Sequence, residues 1–419
     1  MRRRWLLGLV GLGLLAQGLL AAPAQAAPLP GAARSDTSAA STDGPIVLIG
    51  VTGLRWSDVS TLSTPALWRL SRTAALGQVV VRSVSTRACP ADGWLAVSSG
   101  ARAADALSVG CRTLTNPSAL DGTTRVTQWQ QYTDAVDSQS YGAQLGLLGD
   151  TLSANGIAAT AIGPGAAIAL ADSTGVVAGA YTARPEGRRQ LTTAVRTALT
   201  SDRLVVIDAG TLRDPGYETI DPDQLITPAP TVEPGQQETG PPGADAILET
   251  GRAEQAEVID ARVAAVLAAT SGTDATVLLV SLADSGTSAL QLAAVVGELP
   301  SGEATGLLTS ASTRQAGLLQ TADVLPTLLA GLDLTDTAPD LSGSVITSAP
   351  GPATGTARVA ALADTDRLAT QITRAAGGFT TRLMLAQLLL VVAAGLLLWW
   401  SGRGGWAGPA GRLLVPGLR

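Results

Sequence analysis

Among 419 residues there is no histidine, and no lysine either, so all 28 basic residues are arginine. Histidine is the commonest transition-metal ligand and the commonest proton carrier near neutral pH. Its absence excludes imidazole-ligated metal centres and leaves any catalysis to carboxylates and hydroxyls. Cysteine is nearly absent too. Two residues, Cys89 and Cys111, are too few for a thiolate metal site,. Acid is missing from both ends of the chain: all 34 carboxylates lie between Asp36 and Asp366. Residues 35–381 therefore carry 34 acids against 20 arginines, a net charge of about −14,. Such a surface repels nucleic acid and anionic lipid headgroups, so neither is an expected partner.

The composition that is present is rich in Ala, Gly and Arg, as in chains from high-GC, actinobacterial-type genomes. Met1–Ala26 reads as a signal peptide: three arginines, an apolar run from Trp5 to Ala22, then Ala24-Gln25-Ala26 as a small-x-small cleavage site,. A retained anchor is the alternative. Near the other end, Leu383–Trp400 is an uncharged run of 18 residues, long enough to cross a bilayer,. Trp399 and Trp400 suit the interface, and Arg403, Arg412 and Arg419 mark a cytoplasmic tail, 401–419,. These features predict a single-pass cell-membrane protein with its N-terminal domain outside, anchored by one C-terminal helix and available to other envelope membrane proteins. In that oxidising setting an even cysteine count favours a Cys89–Cys111 disulfide, with two free thiols as the alternative. Closing that loop would stabilise by roughly 3 kcal/mol.

Between the ends the chain alternates short apolar runs with amphipathic stretches. Residues 27–44 form a Ser/Ala/Thr/Pro leader,. Strands are expected at Pro45–Val51, Gln78–Val84, Ile157–Ile162, Val176–Tyr181, Arg203–Asp208 and Ala275–Ser281. Helices are expected near Thr64–Ala75, Gly142–Asn155, Pro185–Leu199, Ala244–Ala269 and Thr321–Leu332. The fold class is α/β: three layers, with a mainly parallel sheet covered by helices on both faces. One domain spans 45–349, interrupted by a Pro-rich acidic insertion at 214–243, and 350–382 is a partly helical linker,. A generic Rossmann-like or periplasmic-binding domain would show the same rhythm.

Five segments discriminate further. They are Val47-Leu48-Ile49-Gly50-Val51-Thr52-Gly53-Leu54-Arg55-Trp56 with Thr64-Pro65-Ala66-Leu67; Thr86-Arg87-Ala88-Cys89-Pro90-Ala91-Asp92; Leu204–Gly210; Ala275–Ser281 followed by Ala283-Asp284-Ser285-Gly286; and Gln320–Leu329 with Gly343. In this order they resemble the alkaline phosphatase superfamily, in particular its nucleotide pyrophosphatase/phosphodiesterase branch, over about Pro45 to Val345. The resemblance implies strand ends that converge on two divalent cations held by Asp and His, with a Thr or Ser hydroxyl as nucleophile.

Position by position, the chemistry implied by the resemblance is missing. Thr52 stands for the first metal Asp, Ala88 for the nucleophile, Leu212 for one His and Ser285 for another. Asp208 and Asp284 are the remaining candidate ligands, and they would suit a weakly held Mg²⁺ or Ca²⁺ better than zinc. The leading expectation is a domain without catalysis and without a cofactor, serving in ligand binding, partner binding or envelope organisation. The alternative is a metal-dependent phosphoric-ester hydrolase in which Thr86 attacks and Asp208, Asp284 and Asp92 hold one Mg²⁺ or Mn²⁺ ion. Each carboxylate also has a plain structural use: Asp92 as a helix cap, Asp208 and Asp284 as turn or helix caps beyond strands.

Overall fold

The computed structural model describes residues 44–402 except 86, 106–109, 121, 218, 221–250 and 336–340. The signal peptide, nearly all of the leader, Thr86, most of the acidic insertion and residues 403–419 of the tail lie outside the described residues. The first strand, β1 (Ile46–Thr52), is buried at every position. A run with no solvent face must sit in the middle of a sheet covered on both sides. It does: β1 lies between β5 (Leu204–Thr211) and β6 (Thr276–Ser281), parallel to both.

The remaining strands of the ten-stranded sheet are β2 (Ala75–Val80), β3 (Ala159–Ile162), β4 (Ala180–Thr182), β7 (Gln291–Val296), β8 (Leu307–Ser310), β9 (Leu318–Gln320) and β10 (Ile346–Ala349). Their order is β10-β8-β2-β7-β6-β1-β5-β3-β4, with β9 also paired to β2. The sheet is mostly parallel. Strand β7 runs antiparallel to β6 and β2, and β10 antiparallel to β8. The reversal at β7 has a length argument behind it. Only residues 282–290 separate β6 from β7, and a parallel crossover needs about a dozen or more,. Strand β2 is displaced from the expected Gln78–Val84. It starts one residue after its preceding helix, and Arg82 and Val84 emerge to the surface beyond its end.

The helices are α1 (Pro65–Thr73), α2 (Pro90–Ser99), α3 (Trp129–Asp137), α4 (Leu147–Ala154), α5 (Pro164–Leu170), α6 (Arg188–Ala198), α7 (Arg252–Thr270), α8 (Val324–Gly331) and α9 (Gly355–Gly402). Alternate strand residues feed two cores, as the two-residue period of a strand requires. Ile46, Leu48, Leu204, Val206, Leu278 and Val280 meet α2, α3, α4, α5 and α8. Val47, Ile49, Val205, Ile207, Val277 and Leu279 meet α1, α6, α7 and Leu362 of α9. Helices thus cover both faces, in three layers.

The N-terminus of α1 is held by a carboxylate from far along the chain. Buried Asp260 of α7 accepts from the amides of Ala66 at 3.1 Å and Leu67 at 2.7 Å. Asp260→Ala would leave two buried donors without partners. We expect a loss of about 2 kcal/mol, read as a lower denaturation midpoint at unchanged m-value.

Helix α9 is continuous from Gly355 through the expected linker and span. Its first turns dock on the domain: Arg358 donates to the carbonyls of Arg72 and Ala74, and Asp366 accepts from the Leu290 amide at 3.2 Å. From Leu383 to Trp400 its large apolar side chains are exposed. Among the described residues it is the one helix long and apolar enough to cross a membrane.

Candidate functional site

The ends of β1, β5 and β6 are tied to one another by local bonds that follow from sequence. Beyond Thr52 the backbone turns at Gly53, where φ is +79° and a Cβ would fall 2.3 Å from the Leu212 carbonyl oxygen. Only glycine fits such a turn. The Gly53 amide donates to Ala283, the Leu54 amide to Ser281 Oγ, and the Leu212 amide to the Thr52 carbonyl at 2.8 Å. Thr52 Oγ1 donates to Thr211 Oγ1 at 2.7 Å. Thr52, Leu212 and Ser285 are all buried at this edge, and the Leu212 side chain is fully enclosed in the core.

The loop that carries Ala88 is clamped by two carboxylates on adjacent amides. Asp284 Oδ2 accepts from Ala88 N at 3.0 Å, and Asp284 N returns a bond to the Ala88 carbonyl at 3.0 Å. Asp92 Oδ2 accepts from Cys89 N at 3.0 Å and Ser83 Oγ at 2.7 Å, while its Oδ1 takes the Asp105 amide at 2.9 Å. Cys89 is bonded to Cys111 through the expected disulfide. Asp92 thus lies in the first turn of α2 and reaches back to its start, the geometry of a capping carboxylate,.

Asp208 is equally occupied. Its Oδ2 accepts from Gly165 N at 3.0 Å at the start of α5, and its Oδ1 from Gly210 N at 2.9 Å. Arg184 Nη1 lies 3.1 Å from the same Oδ1 and also bonds the Asp208 carbonyl. A guanidinium therefore stands beside the carboxylate where a cation-binding site would need its ion.

Charge at the neighbouring tips is balanced by a network absent from the sequence reading. Asp214 joins Arg55 at 3.0 Å to Arg252 at 3.0 Å, and Arg252 continues to Asp58 at 2.7 Å. Ser285 Oγ donates to Asp214 at 3.0 Å and accepts from Arg55. Arg87, in the loop that leads to Ala88, is exposed. Asp214 and Tyr217 open the acidic insertion with Asp-Pro-Gly-Tyr, and Tyr217 N bonds back to the Asp214 carbonyl at 3.1 Å. That tetrapeptide is a legible turn signal. Nothing local states that the turn points inward.

Tyr217 does point inward. Its ring packs where a Cβ on Gly286 would go, and its buried hydroxyl has no hydrogen-bond partner among the described residues. Burial first, and then the negative charge of Asp92 and Asp284, pushes its phenol well above the ordinary tyrosine range,. Burial also raises Asp92 and Asp284, each to about 6, against the lowering effect of their amide donors. Asp214 moves the other way. Despite the opposing effect of burial, its hydrogen bonds from Thr287 and Ser285 and the charge of Arg55 hold it below the ordinary carboxylate value.

The positions expected to bound one hollow do not line one. Asp208 and Thr211 line a cavity of about 220 Å³, whereas Ala88 and Asp92 line a separate pinhole of about 10 Å³, near the minimum for a single water,. Thr52 and Asp284 line neither cavity. The donor set does not fit a divalent pair. Every oxygen of Asp208, Asp284 and Asp92 already accepts a protein donor, Thr52 and Ser285 are neutral, and Leu212 offers no ligand atom. Among the described residues no three His, Cys, Asp or Glu side chains group as a metal site.

No family model matches the chain, and no curated protein matches it in sequence. Solved structures do. A protein of the alkaline phosphatase superfamily from Vibrio parahaemolyticus is 14% identical, with 75% of this chain and 70% of that chain covered and a TM-score of 0.37. The alkaline phosphatase of the Antarctic bacterium TAB5 is 11% identical, with 72% and 100% covered and a TM-score of 0.39. Murine ectonucleotide pyrophosphatase/phosphodiesterase 5 is 11% identical at a TM-score of 0.33; the match spans 57% of this chain and just over half of that one, 56%. Likeness of this degree leaves the chemistry of this chain to its own residues.

Proposed function

We propose that this chain is a membrane-tethered, extracytoplasmic binding domain on a phosphatase-like scaffold, without hydrolytic activity. One observation carries the reading: the carboxylates left at the metal-ligand positions, Asp208 and Asp284, spend both of their oxygens on backbone amides and, for Asp208, on Arg184. A buried carboxylate that caps amides would have to break those bonds to coordinate a cation, leaving buried donors orphaned at a cost of about 1–3 kcal/mol each. Ala88, at the nucleophile position, has no hydroxyl to activate. Export and anchoring rest on the Cys89–Cys111 disulfide and on the exposed apolar stretch Leu383–Trp400 of α9,. Residues 1–26 are then the signal peptide, 45–349 the external domain and 401–419 the cytoplasmic tail.

The full-length protein, purified in neutral detergent, should show no turnover of phosphomonoesters, phosphodiesters or sulfate esters with added Zn²⁺, Mn²⁺ or Mg²⁺. After dialysis it should retain less than one metal ion per chain. Turnover that disappears in Thr86→Ala, or in Asp284→Asn, would overturn the reading in favour of a rebuilt one-metal hydrolase.

A further inference from the structure

The cavity of about 220 Å³ beside the end of β5 is lined by four arginines, Arg112, Arg184, Arg213 and Arg262, and by one acid, Asp208. Two of the four positive charges are answered within the protein. Arg112 forms a two-bond ion pair with Asp105 at 2.7 and 2.9 Å, and Arg184 pairs with Asp208. The other two form no ion pair among the described residues. Arg262 donates from Nη1 to the Ala209 carbonyl at 2.7 Å, a neutral acceptor. The side chain of Arg213, an exposed residue, makes no hydrogen bond or ion pair among the described residues; only its backbone amide and carbonyl engage Gln255. Burial and the neighbouring Arg184 cation hold Arg262 below the ordinary guanidinium value, against the raising effect of Asp208 and Glu186,. The hydroxyl of Tyr217, which has no partner among the described residues, belongs to a residue lining the same cavity.

From this we infer that the cavity is a metal-independent binding site for a small dianion, a phosphate-, sulfate- or dicarboxylate-type group, held by Arg213 and Arg262 with Tyr217 as a hydroxyl donor. A dianion would match the two guanidinium groups that lack an ion pair, and such groups present paired donors to oxyanions. A cavity of this volume admits a small oxyanion or a compact organic acid. The domain around the cavity is strongly acidic, so long polyanions are repelled before they reach it. The proposal deepens the binding reading given above, and the two can fail separately.

The test is calorimetric titration of the full-length protein in neutral detergent, with EDTA present, against inorganic phosphate, sulfate and succinate at fixed ionic strength, with chloride as control. Saturable binding is expected for at least one dianion and not for chloride. Arg213→Gln, whose side chain holds nothing in the fold, and Arg262→Gln should each weaken it about tenfold or more. Tyr217→Phe should weaken it less. A parallel arm uses nanodiscs containing phosphatidic acid: engagement there but not by free phosphate, lost in Arg213→Gln, identifies a lipid headgroup as the source of the anion. No dianion or headgroup binding above chloride, or binding that Arg213→Gln and Arg262→Gln leave unchanged, would overturn the site while leaving the non-catalytic reading intact. Turnover of a phosphomonoester with metal added would sink that reading and leave the anion site standing.

Discussion

Gly165→Ala should remove about 3 kcal/mol or more of stability, a large share of a total that for a domain is of the order of 5–15 kcal/mol. The reason is the indole of Trp94, buried without any exposure between β1 and α5. A Cβ on Gly165 would lie 2.0 Å from Trp94 Nε1, and one on Gly50 would lie 2.1 Å from Trp94 Cη2. Neither face can yield, because Gly50 sits in the central strand and Gly165 opens the helix whose start is pinned by Asp208. Trp94→Ala should cost about 3–5 kcal/mol by the opposite route, an unfilled cavity. Denaturant unfolding of the two singles and of Gly165→Ala in a Trp94→Phe background checks the geometry. The alanine should cost at least about 1 kcal/mol less beside the smaller ring. A Gly165→Ala protein within about 0.5 kcal/mol of the parent would show that the indole does not fill this space.

Acidification from pH 7.5 to 5 should raise the melting temperature. The direction follows from the sign of the shifts. Burial lifts Asp92 and Asp284 to about 6 in the folded domain, against 3.8 for a free aspartate, so the folded state holds these protons more tightly. A penalty for burying their charge therefore sets in above pH 3.8 and is complete a little above 6. Returning to pH 5 relieves about 1 kcal/mol per group, on the order of 2–3 kcal/mol for both. Asp105, also raised by burial, acts in the same direction. Asp214 acts in the other: its depressed value stabilises above the unfolded pKa and is lost only as pH falls through its folded value, below the window tested. Melting curves at pH 5 and 7.5 decide the matter. A flat or falling profile toward pH 5 contradicts it, and Asp92→Asn should make the slope shallower even though it lowers stability at both pH values.

Much of the architecture was written in local pattern. Continuous apolar runs such as Val47–Val51 and Val277–Val280 can only be two-sided, buried strands, and the periodic segments between them can only be covering helices. The strand β7 escaped although Asp284-Ser285-Gly286 and Gly297 flank Gln291–Val296, and its direction depends on the length of the preceding connection. The residue types at the candidate site were legible: alanine at 88 offers no hydroxyl, and leucine at 212 and serine at 285 offer no imidazole. Their charged neighbours were not. Arg184 and Arg252 are ordinary arginines in sequence, and Tyr217 sits in a segment that reads as a surface insertion.

By itself the sequence determined the α/β class, the position of the apolar terminal helix and the absence of imidazole, because each is a property of residue type or local period. It also offered Asp92, Asp208 and Asp284 as carboxylates that either hold a metal or cap a helix or turn. Only the tertiary structure decided what those carboxylates do. Whether an aspartate holds a metal or caps an amide depends on which donors approach it, and the Gly165, Ala88 and Asp105 amides reach these three from segments 43, 196 and 13 residues distant. Bonds of that span are set by strand order and loop closure, which no local pattern records.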